Sequence, residues 1–308
     1  PHRLRYVLRS ADSEARIREL AYFDPQTGLP NRQSAIELTA EALGGTAAAG
    51  ENHGVALLLI EMAGIGHIAE TFGSRISTGA LQVIARKLPA FLQSMMLARA
   101  RVDFARTADA EFLVCVSGES PQVLAEELAT SIKRWFQDPV AVFEHEFFLE
   151  PSIGIALAPK HGDDPETLMM RAATARDGAR TGNPMSHTLY NEAMSANARE
   201  RIALDVELRH AVRNEDLQLH YQPKIRLCDG ALCGVEALLR WFHPRQGLIS
   251  SGVFIPLAEE SGLILEIDDW VVRTACRQLY NWRDAGFSTN IAINFSGKHF
   301  LYGDPVAT

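Results

Sequence analysis

The sequence has no long apolar run. The longest, VALLLI at residues 55–60, falls far short of the roughly 18–20 residues that a membrane-spanning helix needs, and no signal-peptide pattern opens the chain. A soluble, cytoplasmic location without a membrane span is therefore expected. Cysteine is scarce: Cys115, Cys228, Cys233 and Cys276 are the only four, and they show no paired metal-ligand spacing. Cys115 stands in an apolar strand, where a free thiol behaves as a small buried hydrophobe, which fits a reducing compartment. Positive charge is also short. A formal net charge of −8 argues against an electrostatic grip on nucleic acid, which needs clustered Lys and Arg to displace counterions. Low-complexity segments and short-period repeats are missing as well.

What remains is ordinary globular material. Apolar residues make up 47% and charged residues 22% of the 308, too apolar for disorder and long enough for two cores. Residues 10–23 place Ile17, Leu20 and Ala21 on one stripe behind an Asp12 or Ser13 cap, so residues 1–20 read as an entering linker helix. Beyond the DPQTGLPNR punctuation, a helix is expected over about 32–47, a buried strand at VALLLIEM, and a helix around 75–97 with Leu81, Ile84, Leu88 and Leu92 on one face. A strand pair around 101–117 follows, then a helix at 121–137. Two apolar strands come next, with their turn at Glu144, His145 and Glu146, and a helix over about 164–181 closes the unit. Hairpins mixed with helices, rather than strict alternation, predict an α+β layer of mostly antiparallel sheet.

The boundary is placed within residues 182–200, giving domains at 21–190 and 191–308. A new amphipathic helix carries Leu204, Leu208 and Ala211 in register. LQLHYQP then alternates by two, LCGVEALL reads as buried, a helix fills 266–285, and NIAINFS is another strand. Strand, strand, helix, strand is how a parallel barrel begins, but a closed eight-stranded barrel takes about 250 residues. An incomplete α/β barrel is expected, with the rest beyond Thr308.

Taken in order, DPQTGLPNR, LLLIEMAGIGHIAETFG, ARTADAEFLV and SIGIALAP resemble the GGDEF family, diguanylate cyclases that join two GTP into cyclic di-GMP. The resemblance covers roughly residues 15–190 and implies a nucleotide-cyclase-like α+β domain. Set against that family, its two turn glycines are Ala108 and Asp109, and its acidic metal ligand is Ala110, with only Glu111 and Phe112 of the namesake motif kept. A methyl group cannot coordinate Mg2+, which demands oxygen donors. The metal-binding Asp of the first strand appears as Glu61, the second Asp as Ala63, and the phosphate-contacting Lys as Gly66. Guanine-contacting Asn and Asp appear as Ala69 and Thr78. Of the family's product-inhibition pair, Arg99 matches, but the Asp position is Val102 with Asp103 one residue late, and a one-residue slip turns a strand side chain to the other face. Losing metal, phosphate and base contacts together leaves little to stabilise phosphoryl transfer. A domain that keeps its fold and has dropped its chemistry is expected, left to dimerisation or signal relay.

From about residue 200, LHYQPKI, GVEALLRWFHP, FIPLAEESGLI and NIAINFS resemble the EAL family, phosphodiesterases that open cyclic di-GMP to linear pGpG. Phosphodiester hydrolysis is helped by two divalent ions about 3.5–4 Å apart, held by oxygens converging from strand ends on one face of a barrel. The resemblance implies a two-metal Mg2+ or Mn2+ site with Glu236 and Asn294 as ligands. It also implies Arg240 on a substrate phosphate, Gln222 on the dinucleotide and Leu238 lining the pocket. Glu259 lies near the site without being a ligand, His220 and His243 read as packing or rim residues, and His145 as a hairpin tip. The family's catalytic Lys and remaining acids are expected after Thr308.

Three functions are weighed. The first is a phosphodiesterase with an inactive cyclase-like regulatory domain, a partner for cyclic di-GMP, a homodimer and a target of an upstream sensor domain. The fragment on its own would be inactive. The second is a non-catalytic cyclic di-GMP receptor; intact Glu236 through Trp241 weighs against it. The third is a protein or RNA scaffold, and the acidic balance weighs against RNA.

Overall fold

The structure is a computed structural model, and it describes residues 20–46, 52–96, 100–181, 186–214 and 216–302. The entering helix expected at 10–23 lies largely outside these residues, as does Arg99; residues 20–22 are helical. The chain divides into two units between Ala196 and Asn197, each described by itself.

The first unit is organised by β1 (His53–Ala63), which is apolar on both faces. A strand of that kind is stable only with layers on either side and neighbours on both edges. β2 (Ala100–Ala108) and β3 (Glu111–Glu119) form a hairpin. β3 and β6 (Glu150–Ala158) flank β1, both antiparallel, and β7 (His187–Leu189) adds a parallel edge, giving the order β2-β3-β1-β6-β7. Alternation by two then sends Ala56, Leu58, Ile60, Phe112 and Val114 to one face, under helices Ile65–Phe72, Ser74–Met96 and Pro121–Trp135. Val55, Leu57, Leu59, Leu113 and Cys115 face the opposite layer, made by helices Arg32–Thr46 and Pro165–Thr181. The unit is the expected α+β layer, and Cys115 is buried within it.

Three local expectations are corrected. The helix predicted around 75–97 is preceded by a separate one, Ile65–Phe72, entered through the left-handed Gly64 and left through Gly73. The stretch read as two strands makes three: β4 (Val140–Val142) and β5 (His145–Phe147) pair as a small hairpin apart from β6. Its turn sits one residue earlier than predicted, because Phe143 takes a positive φ of 53°. His145 thus opens β5, against the Phe72 ring at 5.1 Å.

The second unit, an incomplete α/β barrel, begins within helix Glu192–Arg213, which buries Leu204, Leu208 and Ala211. β8 (Leu217–Ile225) and β9 (Leu232–His243) pair antiparallel rather than opening a purely parallel barrel. β10 (Gly247–Ile249) pairs antiparallel with the end of β9, and β11 (Ile291–Ile293) pairs parallel with its middle. Helix Ser251–Ser261, unexpected from the sequence, comes before helix Ile264–Asp284. Trp241, fully buried, anchors the core with its ring 5.7 Å from Phe254.

Candidate functional site

On β9, Val235, Ala237 and Trp241 are buried against the helices, so Glu236, Leu238 and Arg240 share the opposite, half-open face. Gln222 of β8 stands directly opposite Glu236, on the same face. In the parallel pairing, Ala292 of β11 is the partner of Glu236, and Asn294 follows two residues later on that face. The result is a contact: Asn294 Nδ2 donates to Glu236 Oε1 at 2.9 Å. Lys224 Nζ approaches the other oxygen of Glu236 at 3.2 Å. The hydrogen bond from Asn294, then Lys224, holds the Glu236 carboxyl below the usual carboxylate range.

Arg240 Nη1 donates to the Leu239 carbonyl at 2.9 Å. A cavity of about 270 Å3 beside them is lined by Leu238, Arg240, Glu259, Asp268 and Asn294 together with apolar core side chains such as Ile267, and its lining includes neither Glu236 nor Gln222. Glu259 holds this corner: its Oε1 accepts from Ser296 Oγ at 2.8 Å, and its carbonyl accepts from Lys298 Nζ at 2.6 Å. Buried Asp268 accepts from the Ser296 amide at 3.2 Å, and burial pushes its carboxyl up. His243 is a packing residue. Its Nδ1 accepts from the amides of Arg245 and Gln246, which leaves Nε2 to donate to Glu207 at 2.9 Å. His220 is exposed, 5.6 Å from the Phe242 ring.

In the first unit, the β2–β3 turn passes through Asp109 and Ala110 without a left-handed residue. Arg106, 6% exposed, pins that turn: it donates to the Asp109 carbonyl at 2.6 Å, and to Asp24 Oδ1 and Gln26 Oε1 at 2.8 Å each. Burial works to raise the Asp24 carboxyl, but hydrogen bonds from Thr27 and Arg106 outweigh it and hold it low. Glu61 and Glu111 are register partners at the ends of β1 and β3. Arg176, from helix Pro165–Thr181, reaches both: Nε lies 3.4 Å from Glu61 Oε2 and Nη1 pairs with Glu111 Oε2, while Nη2 meets Asp177 at 2.8 Å. Thr107 Oγ1 donates to the second oxygen of Glu111 at 2.5 Å. Ala63, Gly66 and Ala108 are exposed, and Ala69, Thr78 and Ala110 half-buried; of these only Thr78 has a side-chain hydrogen-bonding group, and it lies on helix Ser74–Met96, on the other side of the sheet from Arg176. Val102 is buried in one core, while Asp103 faces the other way and pairs with Arg101 at 2.8 Å.

Sequence reasoning missed Lys224, Arg176 and Asp268. Lys224 was within reach, since it follows Gln222 by two residues on the strand facing Glu236. Among the described residues, no group of three or more His, Cys, Asp or Glu converges as a metal-binding cluster, and no helix is long and apolar enough to cross a membrane.

Residues 21–183 match the family described as diguanylate cyclase, GGDEF domain, and residues 205–304 match the EAL domain family. The bifunctional diguanylate cyclase/cyclic di-GMP phosphodiesterase MucR of Pseudomonas aeruginosa is 34% identical over 285 residues, covering 92% of this chain and 40% of MucR. Cyclic di-GMP phosphodiesterase PdeR of Escherichia coli is 32% identical over 286 residues, covering 93% of this chain and 42% of PdeR. The chain therefore spans about two fifths of the length of these relatives. The S helix–GGDEF–EAL structure of Vibrio cholerae LapD, bound to c-di-GMP, aligns with 95% of this chain and 66% of its own at a TM-score of 0.54 and 14% identity. The GGDEF domain of PA1120 from Pseudomonas aeruginosa aligns with 58% of this chain and 99% of its own at 0.51 and 23%. Both are likenesses of fold.

Proposed function

The chain belongs to the GGDEF–EAL family of cyclic di-GMP signalling proteins, and on that premise we propose that the intact protein hydrolyses cyclic di-GMP to linear pGpG, with a GGDEF unit that has lost cyclase chemistry and serves regulation. The observation that carries this reading is the Glu236–Asn294 contact of 2.9 Å on the open face of β9.

The donor set there fits a hard divalent cation. A low-lying carboxyl is ionised at neutral pH, and rotating the Asn294 amide by half a turn replaces Nδ2 with Oδ1 beside it. Glu236 and Asn294 would hold Mg2+ or Mn2+. When bound, two such ions supply hydroxide at neutral pH and balance charge on the attacking and leaving oxygens. Arg240, two residues beyond Leu238 on the same face, offers its guanidinium fork to a substrate phosphate. Leu238 gives the pocket an apolar wall, and Gln222 offers the dinucleotide an amide from the facing strand. Glu259 acts through Ser296, fixing the segment that carries Asn294.

The first unit does not fit the cyclase's magnesium. Its ligand position is the methyl of Ala110, and both remaining carboxylates already have partners in Arg176 and Thr107. The experiment is hydrolysis of cyclic di-GMP with Mg2+ or Mn2+ by the intact protein. Activity is expected, with loss of at least ~100-fold in Glu236→Ala. Binding without turnover in the wild type would make the protein a receptor instead.

A further inference from the structure

Glu61 and Glu111 face each other across paired strands, an arrangement of like charges that destabilises a sheet unless a cation lies between them. The cation here is a side chain. Arg176 sets Nε and Nη2 on Asp177 at 3.2 and 2.8 Å, pairs Nη1 with Glu111, and brings Nε within 3.4 Å of Glu61 as an ion pair without a hydrogen bond; only 14% of it is exposed. Its position is fixed by the backbone beneath it. Gly154 on β6 lies so close to helix Pro165–Thr181 that a Cβ there would sit 2.0 Å from the Ala172 carbonyl and 2.2 Å from the Arg176 amide. Lacking a side chain at Gly154, the helix settles on the sheet and brings Arg176 over the strand ends.

We propose that the Arg176 guanidinium stands in for the divalent cation of the cyclase-like half, offsetting the facing charges of Glu61 and Glu111 and closing the site to a magnesium–nucleotide complex. This rests on the reading that the GGDEF unit has lost its cyclase chemistry. Burial works against the charged Arg176, yet Asp177, Glu111 and Glu61 outweigh it and raise its pKa above the usual value. It stays a cation at every accessible pH.

The test counts Mn2+ by electron paramagnetic resonance in the protein and its variants, without GTP. Arg176→Met keeps the stem and removes the charge. It is expected to bind one more Mn2+ per chain than the wild type, to melt at a lower temperature, and to regain part of that loss with Mn2+. Arg176→Met/Glu111→Gln is expected to lose the extra ion. A folded Arg176→Met that gains no ion overturns the proposal, as does a wild-type ion that disappears in Glu111→Gln. Should Arg176→Met fail to fold, the uncharged Arg176→Met/Glu61→Gln/Glu111→Gln variant must restore folding, and failure to do so refutes a charge-balancing role. Cyclic di-GMP synthesis from GTP by the wild type would instead sink the underlying reading, through a separate readout.

Discussion

Arg176 and Lys224 are both cations set against carboxylates, and their exposure separates what they can do. Arg176 is largely enclosed, hydrogen-bonded to Glu111 and Asp177 and within 3.4 Å of Glu61, so moving it away would leave the mostly buried Glu111 without its cation. Lys224 is 49% exposed and makes one contact to Glu236, itself 31% exposed. Such a pair is screened, easily broken and displaced by an incoming divalent ion. A third charged contact, Asp24 with Arg106, is structural: it ties the DPQTGLPNR loop to the β2–β3 turn. The Asp24 carboxyl is held below its ordinary value near 3.8, so the stability it contributes is present above that value and is lost as pH falls through the folded value. Asp24→Asn leaves the enclosed Arg106 without its carboxylate and is expected to cost about 2–4 kcal/mol at neutral pH. Urea unfolding at a series of pH values checks this: the difference between wild type and variant should shrink below about pH 4, and a pH-independent gap would contradict it.

Single elements decide how far the sequence could be read. β1, β3 and β6 were legible because strands buried on both faces are written as unbroken apolar runs, and helix Pro121–Trp135 because its apolar positions recur on one face. Helix Ile65–Phe72 was not, since Gly64, Gly66 and Gly73 punctuate it like a loop. Helix Ser251–Ser261 carries Pro256 inside it, and β4 and β5 are three residues each, too short for alternation to register. In the second unit Glu236 and Asn294 could be named because each sits in a motif, and strand pairing then brings them into contact. Arg176 has no such signature: its meaning comes from Gly154, far away in the chain and on another element. Gly154→Ala tests that dependence. Its methyl must displace helix backbone, not a flexible side-chain end, so a loss of about 3 kcal/mol is expected in urea unfolding. A change under ~1 kcal/mol would mean the helix can lift without cost.

At the scale of the whole molecule, each unit has its own core, and ligands should stabilise only what they bind. A nucleoside triphosphate meets a chain of net charge −8, so it must bring a metal or find fixed cations. In the cyclase-like half, the family resemblance expects a phosphate-binding Lys where Gly66 stands, base contacts where Ala69 and Thr78 stand, and a metal ligand where Ala110 stands. The cation at hand, Arg176, is committed to Glu61, Glu111 and Asp177. GTP with Mg2+ is therefore expected to leave the melting curve unchanged, to give no calorimetric binding at physiological concentration, and to yield no cyclic di-GMP. On the proposed reading, cyclic di-GMP should raise the melting temperature of the intact protein, and that rise should fall in Arg240→Ala, which removes the guanidinium proposed to meet a phosphate. A GTP-dependent shift that survives in Glu236→Ala would place a nucleotide in the first unit and reopen its chemistry.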